Sequence, residues 1–315
     1  MDWTFDAGSP AYVGVRWVWF VGLVGVAGSV AFRLLVLPRT RRRSTEADAS
    51  LVKPAAHAAS AVGIAMATLV LGAAIARLYA QSYSLFGPEL AGALESWSAV
   101  LRTRWGQGWW IHVAAAGTAL GGFLAARRGS GAGWGLAAIG ALALGFNPAL
   151  AGHALTAPGP TWVSVFADGV HVLAAGGWLG SLLLLVVVGI PAALRLEDGM
   201  RGPAVAALVQ AFSPTALVFA GAVAGTGIFS AWLQVGDVEA LWTTTYGRTL
   251  LLKVAMLSAL FATGAYNFLR VRPALGDDAA TRRLQRSATF ELLVTAAVLL
   301  VTAVLVATPT PRDLS

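Results

Sequence analysis

The chain has 315 residues, of which 57% are hydrophobic and only 12% are charged, with a mean hydropathy of +0.71. Soluble domains have about a quarter of their residues charged, so the composition excludes an ordinary soluble protein and indicates a surface that mostly faces lipid. The chain has no cysteine, which excludes thiolate metal sites, CxxC redox motifs and disulfides.

Eight apolar stretches are long enough to cross a bilayer, which takes about 20 helical residues. Backbone groups in lipid must be paired within their own segment, so each stretch is predicted to be a helix. The expected fold is an all-α, polytopic membrane helix bundle, with residues 1–315 forming a single integral membrane domain. The predicted spans are Ala11–Leu37, Pro54–Tyr79, Gly108–Ala126, Gly133–His153, Thr161–Ile190, Pro203–Leu233, Gly247–Leu269 and Ser287–Ala307.

The basic residues predict the orientation of the bundle. Most of the 22 lysines and arginines fall at the ends of odd-numbered spans and in the loops that follow them. Cytoplasmic loops carry an excess of Lys and Arg, so these loops are predicted to be cytoplasmic and both termini to lie outside, in the periplasm. The formal charge of +7 is therefore a topology signal, and no nucleic-acid partner is needed to explain it.

Two segments of the sequence resemble each other. Residues 103–112 (TRWGQGWWIH) are similar to residues 244–253 (TTYGRTLLLK), and both begin a predicted span from the outer side. The similarity indicates two four-helix halves in the same orientation, a 4+4 parallel repeat; a shared helix-entry pattern or chance is the alternative. In the repeat, Lys253 stands where the first half has His112, although a lysine so near a span end can also snorkel outward.

Candidate metal ligands lie in the outer half of the predicted bundle. Ionisable residues at membrane depth are costly and usually face the bundle interior. His153 closes the fourth span, His112 lies just below the outer end of the third, and His171 is ten residues into the fifth. At 1.5 Å per residue, His171 is roughly 15 Å deep. These three of the four histidines are the predicted ligands.

Asp168, His171 and Trp178 share one face of the fifth span because they are three and seven residues apart. A carboxylate one turn from an imidazole can accept its ring N–H, which fixes the tautomer and leaves the other nitrogen free for a metal. Asp168 is thus expected to orient His171 without touching the metal. The alternative is a structural polar pair between helices, and His153 could equally be an ordinary loop histidine.

Other polar or soft side chains are weaker candidates. Met66 and Met256 lie near mid-helix and have thioethers, which suit Cu(I); with His57 on the cytoplasmic side they form a possible onward relay, with packing as the alternative. Asn267 and Glu291 lie at similar depths on the last two spans. We expect them to hydrogen-bond, in a structural or gating role.

In this order, the motifs resemble those of the copper resistance protein D (CopD) family. The resemblance covers nearly the whole chain and is clearest from about residue 150 to residue 309. Ser181 departs from it, since many relatives have a second glycine there. The motifs are Gly152-His-Ala154, Asp168-x-x-His171 followed by Trp178-Leu-Gly180, Tyr246-Gly-Arg-x4-Leu-Lys253 followed by Asn267, and Phe290-Glu291 in a final helix that ends at Pro309.

The resemblance implies a multi-pass protein of the bacterial inner membrane that moves copper from the periplasm towards the cytoplasm. It also implies a separate periplasmic copper-binding partner of the CopC type, because no such domain is fused here. Copper, in an oxidation state the sequence does not fix, would meet His153 and His112 and then pass to His171. The chain has no Walker motif, so we expect neither ATP hydrolysis nor other enzymatic activity.

Two other functions are compatible with the same residues. A copper-binding sensor or assembly factor would hold the metal without translocating it. A membrane electron-transfer protein could bind a b-type haem between His112 and His171, although only His57 is available for a second haem near the cytoplasm.

Overall fold

The computed structural model describes residues 8–41, 48–148, 160–271 and 278–313, and within these ranges the chain is helical and has no strand. The helices, in chain order, are α1 (Pro10–Arg41), α2 (Asp48–Phe86), α3 (Leu94–Leu101), α4 (Arg104–Arg127), α5 (Gly131–Phe146), α6 (Thr161–Leu194), α7 (Asp198–Val235), α8 (Ala240–Thr243), α9 (Thr245–Arg270) and α10 (Asp278–Ala307), followed by the 3₁₀ turn Pro311–Asp313.

The predicted all-α membrane bundle is confirmed. Within the described residues, 7 helices are long and apolar enough to cross a membrane, namely α1, α2, α4, α6, α7, α9 and α10. Helix α5 is apolar but has 16 residues, and it begins where the fourth span was predicted. That span was predicted to end at His153, which lies outside the described residues. The total of eight spans and the location of both termini outside the membrane stay predictions.

The membrane-length helices extend beyond the apolar stretches that predicted them, and three of them show this clearly. Helix α2 continues past Tyr79 to Phe86, α7 begins at Asp198 before the predicted Pro203, and α10 begins before Ser287. Hydropathy measures the length of helix that can face lipid, whereas a helix extends as far as its backbone hydrogen bonds allow. Polar turns at the helix ends were therefore missing from the predicted spans.

The two similar segments enter their helices in the same way. Thr103 Oγ1 accepts the N–H of Gly106 at 3.2 Å, and Thr244 Oγ1 accepts the N–H of Gly247 at 3.0 Å. Each threonine follows a short helix, α3 or α8. A Cβ on Gly106 would lie 2.3 Å from the Leu101 carbonyl oxygen, and one on Gly247 would lie 2.1 Å from the Ala240 carbonyl oxygen. The similarity thus includes a common helix-entry structure, while the 4+4 repeat stays a prediction.

Helix α1 is the central helix of the bundle and packs against α2, α6 and α10. It meets α6 by direct backbone contact. A Cβ on Gly28 would lie 2.2 Å from the Gly180 carbonyl carbon, and a Cβ on Gly180 would lie 2.1 Å from the Val24 carbonyl oxygen. Small residues permit such close approach in membranes, where dispersion contacts hold helices together. Only glycine fits at both positions.

We predict that Gly180→Ala destabilises the bundle by about 1–3 kcal/mol, the usual cost of an extra methyl group in a packed interior. Thermal unfolding in detergent measures the effect. Gly264→Ala is the matched control, because no atom lies within 4 Å of a Cβ at that helical glycine. Equal melting temperatures for the two variants would contradict the backbone contact.

Candidate functional site

Helix α6 carries the predicted ligand His171 on a regular α-helical segment, Thr161–Ala175, and then changes its winding. Two π-helical turns follow, Gly176–Gly180 and Leu185–Gly189. Such wider turns are frequent at functional sites. Trp178 lies buried in the first of them, and its ring centroid is 4.8 Å from that of Phe261 on α9.

The protonation of His171 follows from its hydrogen bonds. Its Nδ1 lies 2.9 Å from Thr226 Oγ1 on α7, and the Thr226 hydroxyl donates its own proton to the Ala222 carbonyl at 2.6 Å. Thr226 can therefore only accept from His171, so Nδ1 carries the hydrogen. A neutral imidazole has one donor and one acceptor, which leaves the lone pair on Nε2 available to a metal.

Thr226 of α7 is the hydrogen-bond partner of His171 Nδ1, and the orienting role of Asp168 stays a prediction. Asp168 was predicted for this role because it lies one turn away on the same helix. Helix α7 approaches the ring so closely that a Cβ on Gly227 would lie 3.4 Å from His171 Cε1.

Asp168 and His171 both interact electrostatically with Lys253 of α9. Lys253 is partly buried, and these two interactions are with residues of α6. Helices α7 and α9 make only marginal contact with each other, because α7 packs mainly on α6 and α9 mainly on α10. Helix α6 therefore contacts α7 through His171 and α9 through Trp178, and the polar cluster lies between them.

His112 is fully engaged in hydrogen bonds. Its Nε2 accepts the Trp19 Nε1–H at 3.2 Å, and its Nδ1 lies 3.1 Å from Asn147 Oδ1. The amide of Asn147 is fixed because its Nδ2 donates to the Gly108 carbonyl at 3.0 Å. In this conformation both imidazole nitrogens are occupied, and His112 joins α1 and α4 to the residue after α5. A ligand role requires Trp19 to move, and the Arg77 guanidinium 4.2 Å from its ring holds Trp19 in place.

The structure does not gather the predicted ligands into one described site. His153 lies outside the described residues, and among those described no three His, Asp or Glu side chains are grouped closely enough to hold a metal. His112 contacts α1 and Asn147, whereas His171 contacts α7. A shared site that includes His153 stays a prediction.

The possible relay residues lie in different surroundings. Met66 packs against α1, where a Cβ on Gly25 would lie 2.6 Å from its Sδ. Met256 is partly buried beside the core, and His57 is exposed on α2. These positions give Met66 a clear packing role, and the relay itself stays a prediction.

The hydrogen bond expected between Asn267 and Glu291 is confirmed. Asn267 Nδ2 donates to Glu291 Oε1 at 2.6 Å, and Asn267 begins a π-helical turn at the end of α9. Ser287 belongs to the same group, with its Oγ 2.8 Å from Asn267 Nδ2. The sequence analysis missed Ser287, although its spacing of four residues from Glu291 on α10 was a signal for it.

We predict that His112→Ala lowers stability, because it leaves Trp19 Nε1 and Asn147 without their partner. Each unsatisfied buried group costs about 1–3 kcal/mol. Thermal unfolding without metal measures the loss, and His57→Ala is the control because it removes an exposed imidazole. An unchanged melting temperature in His112→Ala would contradict the structural role.

Comparison with known proteins places the chain in a family. The family model described as "Copper resistance protein D-like, N-terminal domain" matches residues 5–163, and "Copper resistance protein D" matches residues 206–305. The copper transport protein CutJ of Bacillus subtilis (strain 168) is 28% identical over 170 residues, which are 52% of this chain and 29% of that relative. The chain thus spans less than a third of the relative's length. No solved structure matches. On the two family models, which together extend over most of its length, the chain belongs to the copper resistance protein D family.

Proposed function

We propose that this chain transports copper across the bacterial inner membrane, from the periplasmic side towards the cytoplasm. Family membership supports copper as the substrate, and one relative is named as a copper transport protein. The seven described membrane-length helices support a role within the bilayer. No enzymatic step is part of the proposal.

The observation that carries the proposal is the tautomer of His171. Its Nδ1–H is donated to Thr226, so Nε2 has a lone pair within the bundle. Imidazole nitrogen binds copper well, and a hydrogen bond on the opposite ring nitrogen orients the ligand and increases its basicity. A single imidazole with no thiolate beside it favours transient binding, which suits transfer better than storage.

The groups around His171 support a path for a cation. Asp168 supplies negative charge in the same turn, and Lys253 balances it when no metal is present. Trp178 and Phe261 close the space between α6 and α9 one to two turns further along. In our proposal copper reaches His171 from His153, at the outer surface, and leaves past this aromatic pair.

A small periplasmic copper-binding protein of the CopC type is the proposed donor. The chain has no cysteine, so transfer depends on histidine at its outer surface. His153 is the residue we assign to receive the metal. If the donor protein delivers copper directly, the membrane protein does not need a high-affinity copper site of its own.

Removal of the His171 imidazole tests the proposal. We predict that copper titrated as Cu(I) and as Cu(II) into the detergent-purified protein binds stoichiometrically, and that His171→Ala abolishes this binding. Thr118→Val is the control, since Thr118 bonds only its own helix and is not among the proposed ligands or relay residues. Equal binding by wild type and His171→Ala would overturn the assignment.

Two further measurements separate the proposal from its alternatives. Copper accumulation in cells distinguishes transport from a sensor or assembly factor, which binds the metal without raising its cellular content. A Soret band in the purified protein would identify a haem protein instead. Trp19 donates a hydrogen bond to His112 Nε2. This bond argues against the haem hypothesis, because a haem iron would need the same lone pair.

Thr226→Val tests the orienting hydrogen bond. Valine has nearly the same shape but cannot accept the His171 Nδ1–H, and loss of such a partner typically weakens metal binding about 10–100-fold. Thr118→Val is the control, because Thr118 is exposed on α4 and bonds only its own helix. A copper affinity equal to wild type in Thr226→Val would show that Thr226 does not orient the ligand.

A further inference from the structure

Helix α10 has a polar stripe on the face that it turns to the bundle. Ser287, Glu291 and Thr295 are spaced by four residues, so they lie above one another on one side of the helix. Glu291 and Thr295 are each only 6% exposed. Ionisable groups inside a membrane are costly and usually functional, and the proposed copper path does not use this stripe.

Glu291 has a neutral hydrogen-bond donor and no cation in its described surroundings. Asn267 Nδ2 donates to Glu291 Oε1 at 2.6 Å, and the Ser287 hydroxyl donates to Asn267 Oδ1 at 3.0 Å. Burial of an ionised carboxylate without a counter-charge is strongly unfavourable, and such a group reduces the cost by taking up a proton.

The helices packed against α10 supply no counter-charge at this depth. No side chain is titratable over residues 17–32 of α1, 172–194 of α6 or 202–235 of α7. The two described helices that bring charges near Glu291 are α9, with Arg270, and α10, with Arg286.

Both arginines, and Tyr266 one turn before Arg270, are exposed. They lie at the helix ends, where water can reach a proton donor or acceptor. Arg282 and Arg283 come earlier in α10, and their side chains lie outside the described residues. The exposed arginines near Glu291 thus lie at the end of the site that water can reach. Neither of them forms an ion pair with the Glu291 carboxyl in the described part of the chain.

Thr295 gives an independent indication of a second state. Its Oγ1 is buried and has no hydrogen-bond partner among the described residues. Other hydroxyls on these helices donate to the carbonyl four residues before them, as Thr302 does to Val298 at 2.8 Å. An unpaired buried hydroxyl is costly, and this one lies one turn from Glu291, within reach of a protonated carboxyl.

We propose that Glu291 is a proton-binding site with two hydrogen-bonded states. As a carboxylate it accepts from Asn267. When a proton from water at the Arg270 and Arg286 end adds to a carboxylate oxygen, the new O–H donates to Thr295 Oγ1. Release returns the same proton to water, so no oxidant or reductant is needed.

A proton site on α10 can couple copper movement to a pH gradient when the proton enters from one side of the membrane and leaves to the other. This part rests on the proposed copper transport: proton binding at Glu291 and copper movement past His171 would be linked through α9, which carries both Asn267 and Lys253. Proton binding itself is independent of copper and can be measured without it.

Infrared difference spectroscopy of the full-length protein in lipid nanodiscs, recorded over a pH titration without copper, tests the site. We expect a carboxylic acid C=O band that titrates, is lost in Glu291→Gln and titrates at a different pH in Thr295→Val. Glu239→Gln, which changes an exposed carboxylate beside α8, and Thr302→Val are the controls and should leave the band unchanged. A band unaffected by Glu291→Gln, or a titration that shifts with Na⁺ or K⁺ concentration, would overturn the proposal.

Copper uptake into proteoliposomes separates this inference from the transport function. With a pH gradient imposed, wild-type uptake should be stimulated, and Glu291→Gln should bind copper normally while losing the stimulation. If wild type takes up no copper, the transport proposal fails, and the infrared result still decides the proton site. Stimulation that persists in Glu291→Gln would overturn the coupling.

Discussion

The contact between the backbones of Gly28 and Gly180 sets the position of everything that bears on function. Helix α1 is held so close to α6 that neither residue can have a side chain. On one side of this contact, α1 presents Trp19 to His112. On the other side, α6 widens into a π-helical turn over Gly176–Gly180 and turns its remaining polar face towards α7 and α9. A shift at this crossing would move both histidines relative to their partners.

His112 is fully buried and His171 is partly buried, and their neighbours place the two imidazoles in different hydrogen-bonding states. A neutral imidazole has one N–H and one lone pair. At His112, the lone pair accepts from Trp19 and the N–H donates to Asn147. Both ring nitrogens are therefore hydrogen-bonded, and the residue has a structural role. At His171, Nδ1 donates to Thr226, and the Val223 backbone also hydrogen-bonds the ring. The two rings thus differ in their side-chain partners, since His112 has two and His171 has one among the hydrogen bonds described here.

The features that depend on the lipid environment could be predicted from the sequence. Apolar length located α1, α2, α4, α6, α7, α9 and α10, because backbone groups in a bilayer must pair within the segment, and equal depth on successive spans correctly paired Asn267 with Glu291. It did not give the partners of His112 and His171, since Trp19 and Thr226 are 93 and 55 residues away and the choice depends on helix rotation. A helical repeat predicts contacts along one helix and none between helices, so it pointed to Asp168 and could not indicate Thr226.

Helix α9 is the element that the proposed copper path and the proposed proton site have in common. Lys253 near its start interacts with Asp168 and His171 on α6, and Asn267 near its end bonds Glu291 on α10. The two residues are 14 positions apart, or roughly 21 Å along the helix axis. Because α9 packs mainly on α10 and makes little contact with α7, its packing on α10 is the main contact that would oppose a displacement of α9. Such a movement changes the charge beside His171 and the donor to Glu291 together, so one rigid helix is sufficient to link the two sites without a continuous chain of side chains between them.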